Sequence, residues 1–279
     1  MTDAALRYSL RDLENPFEIA ALERVQHSAF GYADRDITPG SVMTVHSYMG
    51  GIVVAAYAQG DAVADAQIDA AAYPTGSSEP IGFAYGFPGQ YNGAWVHHSH
   101  MLAIDPAHRQ SGLASALKHH QRARAISLGY TRMTWTFDPL IARNGRFNLG
   151  KLRARAVSYR EDWYALRGGI YAGLPADRFL IEWDLTQNHA EHPAPAPHGE
   201  IALEASGNRA GLPNLELRGD ALLIEVPRDI EVLKVSDLTA ARTWRDAHRI
   251  VFPAYLERGY AVSDLCVDGS RTFYLLTKV

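Results

Sequence analysis

Apolar positions in the chain switch between a two-residue and a 3.6-residue period, which predicts strands alternating with helices. Residues 6–10 read as a short strand. Asn15-Pro16 opens a helix, because proline suits a first helical turn, and Ile19, Leu22, Val25 and Phe30 follow near helical spacing. Pro39-Gly40 is a turn signal ahead of a second short helix over residues 41–49. Residues 51–57 are apolar and β-branched at Ile52, Val53 and Val54, so they predict a buried strand. Residues 60–80 are small, acidic and turn-rich and read as a surface excursion. Strands are predicted over residues 81–87 and 95–104, on either side of the turn Gln90-Tyr91-Asn92-Gly93.

Residues 111–128 read as a helix that Gly129 stops. A strand over 132–137 follows, then a helix over 140–153 entered after Asp138-Pro139, then strands over 157–164 and 178–185. This order predicts an α+β domain: a mixed sheet with helices on both faces. The stretch 186–199 breaks the pattern and resembles an extended linker or exposed loop. It holds His189, His192 and His198, which a solvated linker explains without metal. Beyond it come a strand over 221–226, a long helix over 236–257 and a hairpin of 261–267 with 272–277. The organisation expected is a domain over 1–185, the linker or loop over 186–199, and a C-terminal strand-helix-hairpin extension over 200–279 packed on the first domain. The extension is too short for much core of its own.

Composition narrows the class. Hydrophobic residues make up 47% of the 279, enough for a sizeable core. The formal net charge is −4, and no basic stripe is visible, which disfavours nucleic acid as a partner. Cys266 is the only cysteine, so no intrachain disulfide can form, which fits a reducing compartment. No signal peptide is visible at the N-terminus and no apolar run approaches the ~20 residues of a membrane span. The expectation is a cytoplasmic protein, monomer or homodimer, with no membrane partner.

The chemistry concentrates where the strand 95–104 feeds the helix after it. Asp105-Pro106 ends the strand, and Arg109-Gln110-Ser111-Gly112-Leu113-Ala114 follows. A helix N-terminus leaves its first amides without intrahelical partners, and its dipole favours negative charge. Small residues at Gly112 and Ala114 admit a phosphate close to the backbone, and Arg109 adds a charge-assisted bond. The competing reading is an ordinary helix capped by Ser111.

Arg109, Gly112 and Ala114 match the acyl-CoA motif Q/R-x-x-G-x-G/A of the Gcn5-related N-acetyltransferase (GNAT) superfamily, which this sequence resembles. It also resembles a narrower bacterial family of predicted acetyltransferases at His98-Ser99-His100-Met101-Leu102-Ala103, Leu117-Lys118, Gln121-Arg122, Met133-Thr134-Trp135-Thr136-Phe137-Asp138-Pro139-Leu140, Asn144, Phe147-Asn148 and Lys151-Leu152. Asp177-Arg178, Glu182-Trp183, Trp244-Arg245 and Gly259-Tyr260 extend that resemblance into the tail. The resemblance implies a GNAT fold, mostly antiparallel, and acetyl-CoA or another short acyl-CoA as co-substrate. It implies that the pantetheine arm runs along the backbone of Leu102, Ala103 and Ile104, with pyrophosphate on the amides of Arg109, Gln110, Ser111, Gly112, Leu113 and Ala114. Asn144 matches an asparagine that contacts the pantetheine, and Phe147 and Asn148 lie one turn on.

Many superfamily members place a basic glutamate six residues before the last apolar residue of the fourth strand. Here that offset from Ile104 falls on His98, with His100 second. Strand alternation predicts His98, His100, Leu102 and Ile104 on one face, and imidazoles near neutrality accept protons. A buried strand whose imidazoles bond backbone or solvent is the plainer alternative. His97 points to the other face, so a metal site of His97, His98 and His100 is disfavoured.

Asp138 sits where the carboxyl end of a strand meets substrate and is a candidate for the attacking ammonium, or a cap of the next helix. The tyrosine that many members use to protonate the leaving thiolate is missing from residues 140–153; Tyr159 and Tyr164 come later. The function expected is N-acyl transfer from acetyl- or succinyl-type CoA to the amine of a small molecule, such as an amino acid. The alternative is a CoA-binding regulatory module that has lost chemistry.

Overall fold

The computed structural model describes residues 8–58, 79–109, 112–164, 173–187 and 195–279. The chain divides into two compact units, Met1–Met133 and Thr134–Val279.

The first unit is a four-stranded antiparallel sheet in the order β1 (Tyr8–Asp12), β2 (Ile52–Ala58), β3 (Pro80–Tyr91) and β4 (Ala94–Ile104). Its helices are α1 (Pro16–Ala20), α2 (Leu22–Phe30), α3 (Gly40–Tyr48) and α4 (Leu113–Ser127). The Asn15 side chain accepts from the amide of Phe17 and starts α1 with Pro16 in its first turn. Gly31 ends α2 in the left-handed conformation, its amide donating to the carbonyl of His27. Asn92 and Gly93 both take positive φ in the two-residue β3–β4 turn.

Strand alternation gives this sheet two apolar faces. Val53, Ala55, Phe83, Tyr85 and Ala103 pack with Ile19, Leu22, Val25 and Met43 of the first three helices. On the other side Val54, Ala56 and Ala84 pack with Leu113 and Leu117 of α4. Helices therefore cover both faces, as the sequence predicts.

The second unit holds a sheet in the order β5 (Arg132–Phe137), β7 (Arg178–Asp184), β6 (Arg155–Arg160), β12 (Tyr260–Asp268), β13 (Arg271–Lys278), β11 (Ala221–Glu225) and β8 (Glu200–Leu203). The β6–β7, β6–β12, β12–β13 and β11–β13 pairs are antiparallel and β8–β11 is parallel. The long helix α7 (Leu238–Leu256) buries Ala240, Trp244, Val251, Phe252 and Tyr255. Residues 134–185 thus belong with the tail in one compact unit, whereas the sequence reading put a boundary at 185.

Two predicted helices differ from expectation. Residues 140–153 form only α5 (Ala142–Gly145) and a π-helical turn Arg146–Lys151. A side chain at Gly145 would collide with Leu265 and Tyr274, so this turn is fitted to β12 and β13. The helix over 236–257 is really α6 (Ile230–Ser236) followed by α7. Asp237, in an extended conformation, separates them, and its carboxylate accepts from the amide of Ala240. The predicted excursion over 60–80 lies outside the described residues except at Glu79 and Pro80, and the linker does so over 188–194. Among the described residues no helix is long and apolar enough to cross a membrane.

Candidate active site

Pairing between β3 and β4 slips by one residue: Tyr85 faces Met101 while Phe87 faces His98, so Ser99 and His100 together oppose Gly86. This is a β-bulge, and it resets which side chain points where. Leu102 and Ile104 pack on the α4 face. Met101 and Ala103 pack on the opposite face. His97 and Ser99 bond to Gln121 of α4. His98 and His100 instead sit among rings of the other face. The expectation that His98 and His100 share a face with Leu102 and Ile104 is therefore overturned, because strict alternation does not survive a bulge.

His98 and His100 belong to a cluster of five rings. His98 lies 5.4 Å from Phe87 and 6.2 Å from His100, measured between ring centroids. His100 lies 5.7 Å from Phe87 and meets Tyr85 edge-on at 5.9 Å. His46 of α3 stacks on Tyr85 at 5.8 Å, and its Nδ1 shares a hydrogen bond with the Tyr85 hydroxyl. Burial raises the Tyr85 pKa, so its hydroxyl keeps its proton within that bond. His46 and Tyr85 were not singled out in the sequence. Helix 41–49 and strand 81–87 were legible, but only the fold brings them together.

Burial favours the neutral form of His98 and His100. Burial, then the nearby His100 and Lys118, pushes the His98 pKa down to about 4. Burial and the adjacent His46 also lower His100. On the α4 face His97 is held at about 3 by burial, Lys118 and His98.

Among the described residues no side chain caps the start of α4. Gly112 occupies the N-cap with φ +79°, and among the described residues, its chain neighbours aside, nothing lies within 4 Å of where its Cβ would be. The first free carbonyl bond is that of Gly112 from the amide of Ala116, which leaves the amides of Leu113, Ala114 and Ser115 directed out of the helix end. This is a cradle for an anion, open at its glycine and favoured by the dipole of a helix of 15 residues. Residues 46–144 match the family model of the acetyltransferase (GNAT) family. This part of the chain is a GNAT acetyltransferase domain.

No curated protein matches the sequence. The chain is similar to the ribosomal-protein-S18-alanine N-acetyltransferase of Escherichia coli, at 11% identity over 66% of this chain and 97% of that one, with a TM-score of 0.47. It is also similar to a GNAT-family acetyltransferase of Streptococcus pneumoniae, at 14% identity over 63% and 98%, with a TM-score of 0.46. A third is yncA of Salmonella typhimurium, solved with its cofactor acetyl-CoA, at 16% identity over 66% and 98%, with a TM-score of 0.46.

The GNAT domain's other expected site residues fall as follows. Gln110 and Ser111 lie outside the described residues. Arg109 is exposed and sends a guanidinium N–H to the carbonyl of Ala29 at 2.7 Å, which fixes one edge of its fork to the end of α2. Leu113 buries its side chain and offers only its amide. Leu102, Ala103 and Ile104 pair with Ala84, Phe83 and Gly82 of β3.

In the second unit Asn144 and Phe147 are half-buried, three residues apart. Asn148 is buried, and its side-chain oxygen accepts from the Trp135 indole at 3.0 Å. Asp138 is not a free carboxylate. Both its oxygens accept from Arg245 at 2.8 Å, and one also accepts from the amide of Leu140 at 2.9 Å. Its charge is already paired with Arg245 inside the second unit.

Tyr159 is locked away by its bond to Asp177 at 2.7 Å, whereas Tyr164 lies 3.4 Å from Thr136 of β5. Among the described residues no three His, Cys, Asp or Glu side chains meet as a metal site. His189 and His192 lie outside the described residues.

Proposed function

We propose that this protein transfers an acyl group from an acyl-CoA to the amine of a small molecule, with His98 as the proton acceptor. The observation that carries the reading is the uncapped, glycine-opened start of α4, directly after the strand that bears His98, inside a GNAT acetyltransferase domain. The diphosphate of CoA fits that cradle because amides and dipole there favour an anion. Arg109 and Gly112 frame the approach, with Leu113 and Ala114 contributing amides. Leu102, Ala103 and Ile104 are the stretch proposed for the pantetheine amides, and Asn144 and Phe147 are the candidates from the second unit.

The chemistry needs a neutral amine and a place for its proton. The amine nitrogen attacks the thioester carbon, the C–N bond forms and the C–S bond then breaks. The nitrogen becomes strongly acidic as the bond forms, so even a weak base such as His98 can take its proton. The CoA sulfur leaves as thiolate, which solvent can protonate, because a thiol of pKa about 8.5 is a good leaving group. His100 is the second candidate base. Acetyl and succinyl-type donors both meet these requirements, and amino acids are one class of acceptor.

Thiol release and mass spectrometry with acetyl- and succinyl-CoA against a panel of amines and amino acids test the reading. Acylated product and a large fall in turnover in His98→Ala support it. CoA binding without turnover on any acceptor supports instead an inactive CoA-binding module. The absence of a tyrosine from residues 140–153 and the bond that holds Tyr159 favour that second reading.

A further inference from the structure

The inward face of α4 carries two residues that an apolar stripe does not explain. Leu113, Leu117 and Ala125 are buried there as expected, but so are Lys118 and Gln121. Lys118 Nζ donates to Ser99 Oγ at 2.7 Å. Ser99 Oγ donates onward to Gln121 Oε1 at 2.7 Å. The Gln121 amide nitrogen donates to His97 Nε2 at 3.2 Å. That bond fixes the His97 tautomer, with its proton on Nδ1, which is buried and has no partner.

Each link of this chain grips β4 at its bulge. Ser99 is one of the two residues that oppose Gly86. A Cβ on Gly86 would overlap His97 Nε2 and the carbonyl oxygen of His98, so the missing side chain lets the bulged backbone and the His97 ring close onto β3. Bulge and network interlock: the ring fills the space above Gly86, Gln121 holds the ring, and Lys118 holds Ser99. The bulge in turn puts His98 and His100 on the ring-lined face.

We infer that Lys118 is a positioning residue for acyl transfer: through Ser99, Gln121 and His97 it holds the β4 bulge, and so aims His98 and His100 at the acceptor side. This rests on the acyltransferase reading proposed above. A buried amine is a costly way to pack a helix, and an apolar side chain of similar volume would serve packing as well. Burial lowers the Lys118 pKa to about 7, and its charged form helps to hold down His98. His98 has His100 of β4 and Phe87 of β3 beside it on its own face, with His46 of α3 against His100 and Phe87, while the charge of Lys118 of α4 acts on it from the other side of the sheet.

The test is a cycle of Lys118→Met, Ser99→Ala and the double variant in the full-length protein, read by kinetics and by imidazole NMR titration. Lys118→Met should keep its Tm within a few degrees and lower kcat by about tenfold to hundredfold, the range for misplaced catalytic groups. KM for acyl-CoA should change less than about twofold, because α4's first turn is untouched. The double variant should lose no more than the worse single one, the signature of one shared network. The His98 resonance should titrate at higher pH once the Lys118 charge is gone. If Lys118→Met does not fold, Ser99→Ala carries the same expectations for kcat and KM. Normal kcat per folded molecule, or additive losses in the cycle, would overturn the inference. If the wild type shows no transfer, the acyltransferase reading fails, and NMR still decides the network: unmoved His98 and His100 resonances in Lys118→Met overturn it.

Discussion

A buried imidazole that stays neutral down to about pH 4 offers its lone pair at every physiological pH, and His98 is such a group. The acid limb of kcat/KM should therefore fall near pH 4 rather than near the ordinary histidine value of about 6.5. A pH–rate profile of the free enzyme checks this. His98→Ala should lower kcat by about 10²–10⁴-fold, the usual contribution of a general base, and leave CoA affinity nearly unchanged by calorimetry. The same burial has a stability consequence. In the unfolded chain histidines bind protons below about pH 6.5, whereas folded His97 and His248 stay neutral to about 3 and His98 to about 4. At these histidines the unfolded state therefore binds more protons in that window, so their contribution makes stability fall as pH drops from about 6.5 and levels off only below about 3. Denaturant titrations at pH 7 and pH 5 should show the loss, and His248→Leu should reduce it. At this scale the sequence showed His98 and His100 but misplaced the face they share. The signals were present: an isolated glycine inside a predicted strand, Gly86, and polar Lys118 and Gln121 on the inward stripe of a helix. Their meaning depended on which strand lies opposite, which no local pattern reveals.

The strand-turn-helix from β4 to α4 is the element on which binding turns. Among the described residues no side chain caps its N-terminal amides and none fills the space beyond Gly112, which holds a left-handed φ. Asparagine tolerates that conformation about as well as aspartate, so the pair separates charge from backbone strain. Gly112→Asp should weaken CoA binding about tenfold or more beyond Gly112→Asn, because a carboxylate there repels the diphosphate. Isothermal titration of CoA into both variants measures the difference. Strands β1 to β5 and helix α4 were legible because their periods are clean and their turns carry Asn92-Gly93, Asp105-Pro106 and Gly129. Residues 140–153 were less so. Their helical pattern is bent into a π turn by the space that Tyr274 and Leu265 leave beside Gly145, which is a tertiary effect.

Across the whole molecule the second unit was the least legible, because what organises it is long-range charge. Asp177 is fully buried, accepts two bonds from Arg249 at 2.7 and 2.8 Å and one from Tyr159, and lies 3.9 Å from Arg245. Arg245 is itself buried and bonded to Asp138, more than a hundred residues away in the chain. Asp177→Asn would take away the charge that pairs the partly exposed Arg249 and turn one accepting oxygen into a donor, and should cost about 1–3 kcal/mol of stability, visible in chemical denaturation. The sequence marked Asp177, Arg178 and Arg245 only through a resemblance, since nothing local says that they meet. The superfamily part of that resemblance has its counterpart in the family match over residues 46–144, which does not reach these three positions. The central claim is that this domain moves an acyl group and that His98 takes the proton. The most direct measurement is product mass spectrometry with acyl-CoA and an amine panel, run on the wild type and on His98→Ala under CoA saturation. Acylated amine from the wild type, with a loss of about a hundredfold or more in the variant, is the predicted result; equal product from both would contradict it.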